Sequence, residues 1–183
     1  LRCMAAGGIH DHIGGGFHRY STDRQWLVPH FEKMLYDNAQ LAAVYLDAFA
    51  LTSSQRYADV ARDTLDFLLR DMRDEGGGLH SSLDADSGSG EGEYYVWTPG
   101  EIRSVLGTEE GGAFCEAYGI TEGGNFEGKS IPHIDPADTR TAEFRDAEER
   151  LLEVRYGRDA PGKDDKVLSS WNGLALTAFA RAA

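Results

Sequence analysis

The sequence predicts an all-α fold built from stacked helical hairpins, with a small β-hairpin inserted between them. Three observations favour this fold. A long helical stretch follows Pro29 and is apolar on nearly every side in its second half, and an amphipathic helical stretch begins a few residues after it ends. The motif GGGFH at 14–18 then returns as GGGLH at 76–80. Repeated pairs of one inner and one outer helix predict closure into a ring.

The first helix is predicted to begin near Pro29 or His30 and to run through HFEKMLYDNAQLAAVYLDAFAL. Proline suits the first turn of a helix, because the N–H that it lacks has no partner there in any case. The glycines at 14–16 allow the preceding loop to turn sharply. Polar residues gather at the helix start, behind this loop: His30, Glu32, Lys33, Asp37 and Asn38. We therefore expect a buried helix with a polar mouth.

A second helix, QRYADVARDTLDFLLRDMRD, is predicted to follow with Ser53 or Ser54 as its N-cap. Its apolar residues share one face, namely Ala61, Leu65, Leu68 and Met72. Because few residues separate the two helices, they form an αα-hairpin whose second member is the outer one. Near the end of the chain, SSWNGLALTAFARAA predicts another buried helix, in which Asn172 follows an aromatic residue as Asn38 does. We expect the polar mouths of such helices to share one cavity.

Residues 79–97 interrupt the helices. LHSSL and EYYVW flank the stretch DADSGSGEG, which predicts a β-hairpin with a long tip. The acids of the tip, Asp84, Asp86 and Glu91, allow a calcium loop. However, Ser89 stands where an EF-hand requires glycine, and Tyr95 stands where it requires glutamate. A plain polar loop or substrate-facing acids are therefore favoured over a calcium site.

The remaining chain predicts three further helices. Thr98, Pro99 and Glu101 form a capping box that starts a short helix through Leu106. Residues 109–119 predict a second short helix, which ends at Gly119, and residues 141–156 predict a charged outer helix. The loop EGGNFEGKSIPHI and the linker GRDAPGKDDK separate these helices.

Composition excludes several classes of function. A formal charge of −13 disfavours nucleic acid and anionic membrane surfaces, and no stretch is apolar enough to span a membrane. The two cysteines lie far apart, which is not typical of a disulfide scaffold, so we expect a cytoplasmic protein. His10 and His12 allow a metal site with His18, but loop histidines that face solvent or a carboxylate are favoured. We expect no metal and no other cofactor.

Four stretches together resemble the YyaL and spermatogenesis-associated thioredoxin-domain protein family: GGGFHRYSTDRQWLVPHFEKMLYDNAQLA, DADS with EGEYYVWTPGEI, GNFEGKSIPH, and DDKVLSSWNG. The resemblance covers essentially the whole chain. It implies an (α/α)6 barrel, a six-hairpin toroid related to N-acylglucosamine 2-epimerases and six-hairpin glycosidases. Residues 1–183 are then a fragment of this single domain, which lacks the remaining hairpins and the N-terminal thioredoxin-like domain. The absence of an initiating methionine also favours a fragment.

The barrel relation implies a carbohydrate-active domain whose ligand is a sugar-like small molecule. Carboxylates and amides suit sugar hydroxyl groups, whereas aromatic faces suit the C–H groups of the ring. For each tryptophan, core packing is the alternative. The predicted substrate-binding residues are His18, Arg19, Tyr20, Asn38, Asp84, Asp86, Trp97, Trp171 and Asn172.

The predicted catalytic residues are His30, Glu32, Asp37 and His133. Epimerisation or isomerisation needs a group that removes and returns a proton, and histidine suits this task because its pKa lies near neutrality. Glycoside hydrolysis instead needs two carboxyl groups, one of them protonated. For that reaction, Asp37 acts with one of three other acids: Asp84, Asp86 or Glu93.

Two alternatives remain open. In the first alternative, the domain is a non-catalytic scaffold that binds a ligand or client and works with the thioredoxin-like domain. In the second, the polar residues at the helix mouth form a structural network, with Lys33 paired to Asp37 and Asn38 bonded to the loop backbone.

Overall fold

Helices dominate the computed structural model, which describes residues 1–88, 90–137 and 143–183. The prediction of a mostly helical fold is confirmed, and closure of the helices into a barrel stays a prediction. No helix in the described ranges is long and apolar enough to cross a membrane. The helices of the described part are α1 (Arg2–Ala6), α2 (Leu35–Thr52), α3 (Gln55–Asp71), α4 (Pro99–Leu106), α5 (Thr108–Ala117), α6 (Arg145–Arg155) and α7 (Ser169–Ala182).

Three small antiparallel sheets join the loops that precede the helices. The first pairs β1 with β2, the second places β4 between β3 and β7, and the third pairs β5 with β6. The middle sheet brings the starts of α2 and α7 to one place, because β3 leads into α2 and β7 lies shortly before α7. The strands are β1 (Tyr20–Ser21), β2 (Pro29–His30), β3 (Lys33–Met34), β4 (Ser82–Leu83), β5 (Asp86–Ser87), β6 (Gly90–Glu91) and β7 (Lys163–Asp164).

Helix α2 begins at Leu35, so the predicted start at Pro29 or His30 is wrong. Residues 29–34 instead form the strands β2 and β3, in which Pro29 lies opposite Ser21. The helix is buried on one face only, and Val44 and Leu51 are 43% and 86% exposed. The prediction of a helix that is buried all round is therefore wrong for the described residues. Among these residues, only α3 and α7 pack extensively against α2.

The predicted αα-hairpin is confirmed. Ser54 precedes α3 as its N-cap residue, and Ser53 ends α2 in the left-handed conformation with φ of 55°. The predicted inward face is buried at all four positions, which are Ala61, Leu65, Leu68 and Met72. Leu65, Leu68 and Met72 of this face belong to one hydrophobic cluster with α2 and α7, and Ala61 belongs to a neighbouring cluster.

The capping box of α4 is also confirmed. Thr98 accepts the N–H of Glu101 through its hydroxyl group, and the Glu101 carboxylate accepts the N–H of Thr98. Helices α4, α5 and α6 share a second cluster, in which Phe114, Tyr118 and Leu151 are fully buried. Helix α6 begins at Arg145, and the predicted start of this helix at 141–142 lies outside the described residues.

The insertion differs from the predicted hairpin. Strands β5 and β6 pair within the acidic stretch itself, so that Asp86 lies opposite Glu91. LHSSL contributes β4 to the middle sheet, and EYYVW is not its partner. Trp97 instead exchanges backbone hydrogen bonds with Ser130. Long-range pairing thus overrides the local hairpin pattern, since β4 finds partners in β3 and β7.

The sequence repeat corresponds to a repeated hydrogen-bond arrangement. Asn38 of α2 accepts the N–H of Phe17 at 2.6 Å and donates to its carbonyl oxygen at 3.0 Å. Asn172 of α7 makes the same two bonds with Leu79, at 2.9 and 3.0 Å. Phe17 and Leu79 are equivalent residues of the two glycine motifs. Each asparagine therefore fixes a glycine-rich loop to the start of the helix that carries it.

Candidate functional site

A chain of polar contacts lies at the start of α2, and we call it the helix-mouth cluster: Arg19, Tyr20, His30, Glu32 and Glu91. Arg19 Nη1 lies 2.9 Å from Glu32 Oε2, and His30 Nε2 lies 3.4 Å from the same oxygen. His30 Nδ1 lies 2.8 Å from Glu91 Oε1. The ring of Tyr20 stacks on His30 with 5.0 Å between centroids. The imidazole is therefore held between two carboxylates and remains partly exposed.

Three further residues extend the cluster along α2 and α7. Asp37 is half-buried, and burial raises the pKa of its carboxyl group although Arg19 opposes the shift. Among the described residues, Asp37 Oδ2 has no hydrogen-bond partner. Tyr36 and Trp171 meet edge to face, with 4.7 Å between ring centroids. The site thus combines a histidine, a carboxyl group with a raised pKa, and partly exposed aromatic rings.

Short strands position the cluster. The β1–β2 ladder places Tyr20 directly opposite His30, and β6 delivers Glu91 from the inserted hairpin. The sequence placed Glu91 in an acidic tip that allowed calcium, a polar loop or substrate-facing acids, but it did not connect Glu91 with His30. The acidic hairpin tip was visible in the sequence, but its docking on β2 depends on the fold. Asp86 lies opposite Glu91 in the β5–β6 ladder and so stands at the edge of the cluster.

Several predicted substrate-binding residues make contacts within the protein framework. His18 is buried, its Nδ1 lies 2.9 Å from the Phe31 carbonyl oxygen, and burial lowers its pKa to about 3. Asn38 and Asn172 are occupied by the loop backbones described above. Trp97 is fully buried beneath the Arg158 guanidinium, 3.8 Å from the ring centroid. This position fits core packing, the alternative that the sequence left open.

His133 and Asp84 lie outside the helix-mouth cluster. His133 Nδ1 lies 3.2 Å from the Ile131 carbonyl oxygen, and its backbone N–H donates to Tyr118. Asp84 accepts the N–H of Ala85, and its own N–H donates to Gly162. The cluster therefore brings together His30, Glu32, Arg19 and Tyr20, with Asp37 and Trp171 beside them.

Known proteins resemble this chain over nearly its whole length. Spermatogenesis-associated protein 20 of Homo sapiens is 40% identical over 218 residues, which cover 98% of this chain and 28% of that protein. The protein of the same name in Mus musculus is 38% identical over 217 residues, with the same coverage. This segment belongs to the spermatogenesis-associated protein 20 family. An uncharacterized protein of Caenorhabditis elegans is 33% identical over 220 residues, which cover 100% of this chain and 30% of that protein.

Membership of the spermatogenesis-associated protein 20 family confirms the resemblance inferred from the sequence motifs. The chain spans about 28% of the length of its human and mouse relatives. No protein-family model matches the chain. The relation to sugar epimerases stays a prediction, and so does the attached thioredoxin-like domain.

Sequence reasoning missed a cavity of about 700 Å³ between the starts of α3 and α6. His10 and His12 line it together with Tyr118 and Glu148. His10 is buried, and neither ring nitrogen has a hydrogen-bond partner among the described residues. His12 Nε2 lies 3.1 Å from the Gly7 carbonyl oxygen, and burial lowers its pKa to about 4. The favoured interpretation, histidines that face solvent or a carboxylate, is therefore wrong for His10, whereas His12 is partly exposed.

The same cavity contains a carboxyl group with a strongly altered pKa. Glu148 accepts a hydrogen bond from the Tyr118 hydroxyl group, and burial raises the pKa of Glu148 to about 8. Nearby Asp63 also has a raised pKa, again because of burial. Within the described ranges, no group of three or more histidine, cysteine or acidic residues is arranged to hold a metal ion.

We expect Glu148 to make the stability of the protein depend on pH. Because its pKa is raised in the folded state, folding favours the protonated form, so stability decreases as pH rises from about 4.5 to about 8. The thermal midpoint of Glu148→Gln should therefore fall less than that of wild type over this interval, and the difference should exceed the roughly 2–4 °C that 1 kcal/mol produces in a domain of this size. Thermal unfolding at pH 5 and pH 8 measures the difference. Glu149→Gln, an exposed neighbour, is the control, and equal pH slopes in all three proteins would contradict the assignment.

A buried ion cluster, defined as Asp11, Lys33 and Arg155, lies behind the helix mouth. Lys33 Nζ lies 2.7 Å from Asp11 Oδ2, and Arg155 Nη1 lies 2.8 Å from Asp11 Oδ1. All three side chains are at most 5% exposed. The predicted pairing of Lys33 with Asp37 is therefore wrong. It assumed that Lys33 lies within the helix, whereas Lys33 belongs to β3 and points into the core.

Proposed function

We propose that this chain is part of a carbohydrate-active (α/α)6 barrel that transfers protons to and from a sugar-like substrate at the helix-mouth cluster. The contact of His30 with both Glu32 and Glu91 carries the proposal. A histidine is suited to remove and return a proton near neutral pH, and contacts with two carboxylates hold this imidazole in place. His30 is partly exposed, so a substrate has access to it.

The neighbouring residues support a sugar as the substrate. Burial raises the pKa of the Asp37 carboxyl group, a shift in the direction that a general acid requires. Arg19 and Tyr20 offer hydrogen-bond donors to hydroxyl groups, and Tyr36 and Trp171 offer faces to ring C–H groups. Because the imidazole is the group that both carboxylates contact, we favour epimerase or isomerase chemistry over glycoside hydrolysis. Hydrolysis would instead use Asp37 with one of the acids predicted as its partner, Asp84, Asp86 or Glu93.

The test is a thermal-shift screen of the full-length protein against monosaccharides, aminosugars, sugar phosphates and short oligosaccharides. A bound sugar should raise the midpoint of wild type and of Glu116→Gln, whose carboxylate is exposed on α5. It should not raise the midpoint of Asp37→Asn, because that variant loses an acidic group at the mouth. Failure of every sugar to stabilise wild type would contradict the proposal.

The catalytic role of His30 needs its own measurement. Once a sugar ligand is known, proton exchange at the carbon next to its carbonyl group is followed by NMR in D₂O. His30→Gln should reduce the exchange rate by about 10²–10⁴-fold, since that is the usual contribution of a general acid or base. Binding without any exchange in wild type would contradict catalysis.

The second candidate is a non-catalytic scaffold that holds a ligand or client for a thioredoxin-like domain. Exposed apolar residues on α2 and α7 favour it, among them Val44, Leu51 and Leu176. Such residues suit contact with another part of the protein or with a client. Binding without exchange, together with unchanged binding in His30→Gln, would support this candidate over the first.

A further inference from the structure

A cavity of about 200 Å³ lies behind the middle sheet and is separate from the helix-mouth cluster. Lys33, Leu83 and Lys163 are register partners across β3, β4 and β7, so their side chains share one face of the sheet. All three line this cavity. Met34, which leads into α2, and its partners Ser82 and Asp164 occupy the opposite face. The sheet therefore separates this cavity from the start of α2.

The cavity wall carries an excess of positive charge. Of the residues that the structure describes, its lining includes the cations Lys33, Arg70, Arg155 and Lys163 but a single carboxylate, that of Asp71. Arg70 is paired with Asp71, with 2.6 Å between Nη2 and Oδ2. In the buried ion cluster, the carboxylate of Asp11 faces two cations, so one of these positive charges has no counter-charge among the described residues. Because burying an uncompensated charge is unfavourable, an anion in this cavity would stabilise the arrangement.

Residues that line this cavity also carry hydrogen-bond donors that are not used within the described structure. Lys33 Nζ uses two of its three N–H bonds, on Asp11 and on the Gly15 carbonyl oxygen. Within the part of the chain that the structure describes, the Tyr95 hydroxyl group and Arg155 Nε have no hydrogen-bond partner. Both residues are at most 4% exposed, and both line the cavity. Lys163 donates to the Asp71 carbonyl oxygen at 2.6 Å and is otherwise exposed.

We propose that this cavity binds the phosphate group of a small molecule. A phosphate monoester carries close to two negative charges at neutral pH and accepts several hydrogen bonds, which matches the uncompensated charge and the spare donors. The apolar part of the lining, including Phe67 and Leu83, leaves room for a small organic group. The inference does not depend on acid/base chemistry at the helix mouth.

The test measures phosphate binding to the full-length protein. Calorimetry and thermal shift are run with inorganic phosphate and then with small phosphate monoesters, at constant ionic strength against chloride. Wild type should bind phosphate saturably, and phosphate should raise its thermal midpoint. Lys163→Gln and Tyr95→Phe should each weaken binding by roughly tenfold, because each removes a donor of the cavity. Tyr95→Phe removes only a hydroxyl group that has no partner among the described residues, so the fold should persist.

Lys166→Gln is the matched control, because Lys166 pairs with Asp164 on the exposed side of the same segment. Its phosphate affinity should equal that of wild type. Tighter binding of a monoester than of inorganic phosphate would identify an organic ligand, and the reverse would identify free phosphate. Wild type that responds to phosphate no more than to chloride would overturn the proposal. Unchanged affinity in both cavity variants, or tighter binding of dicarboxylates than of phosphate, would also overturn it.

Discussion

Asp11→Ala is expected to destabilise the protein by about 3–5 kcal/mol, because it leaves Lys33 and Arg155 buried without their shared carboxylate. Asp11 also accepts the backbone N–H groups of Ile13 and Gly14. Its loss therefore releases the glycine loop as well as two charges. Since a domain is stable by only about 5–15 kcal/mol, we expect a large fall in thermal midpoint and in soluble yield. Thermal unfolding of the purified protein measures the effect.

The matched control is Asp47→Ala, which removes the partner of Arg181 in an exposed ion pair between α2 and α7. Exposed ion pairs contribute about 0–1 kcal/mol, since water screens both charges. Both variants lose one negative charge, but the lost carboxylate is buried at Asp11 and exposed at Asp47. Equal destabilisation by the two substitutions would show that Asp11 does not serve as a buried counter-charge.

Gly15→Ala is expected to destabilise the protein by more than the strain of a positive φ alone would cause. Gly15 has φ of +74°, where a side chain is strained by about 1–2 kcal/mol. A Cβ atom there would also come within 2.4 Å of the Asp63 carbonyl oxygen in α3. Because that oxygen belongs to a helix backbone, it cannot move aside easily, and overpacking adds roughly 1–3 kcal/mol. Comparison of thermal midpoints with wild type measures the sum.

The repeat supplies the control for this substitution. Gly77 is the equivalent residue of the second glycine motif and has φ of +89°. A Cβ atom added at Gly77 would have no other atom within 4 Å. Gly77→Ala should therefore show the backbone strain alone, about 1–2 kcal/mol. If Gly77→Ala proved as harmful as Gly15→Ala, close packing on α3 would not be the reason for glycine at 15.

Elements with local causes were predictable from the sequence. The capping box of Thr98 and Glu101 begins α4 because its hydrogen bonds join residues three apart. The apolar face of α3 follows from helical spacing and is buried as expected. The glycine repeat likewise predicted related loops, and Asn38 and Asn172 fix them in the same way.

Elements with distant partners were not predictable. Pro29 suits a helix start, yet residues 29–34 form strands because β1 and β4 supply partners for them. The pairing of EYYVW with LHSSL was wrong for a related reason, since β4 has better partners in β3 and β7. Strand pairing depends on which segments the fold brings together, and spacing along the chain does not reveal this.

The candidate site was predictable in part. Arg19, Tyr20, His30 and Glu32 lie close together in the sequence, and the structure brings all four into contact. Their contact with Glu91 depends on a hairpin formed much later in the chain. Lys33 lies next to Glu32 in the sequence, yet it points away from the mouth and into the buried ion cluster.

The sequence by itself determined the family, the largely helical content, the capping box of α4 and the segments that carry the polar residues. Local hydrogen bonds and helical periodicity encode these features, because they act over a few residues. Only the tertiary structure decided which polar residues stay accessible and which become structural. That division follows from burial: His30 lies between carboxylates at the surface, whereas His18, Lys33 and Asn38 are enclosed by segments distant in the sequence.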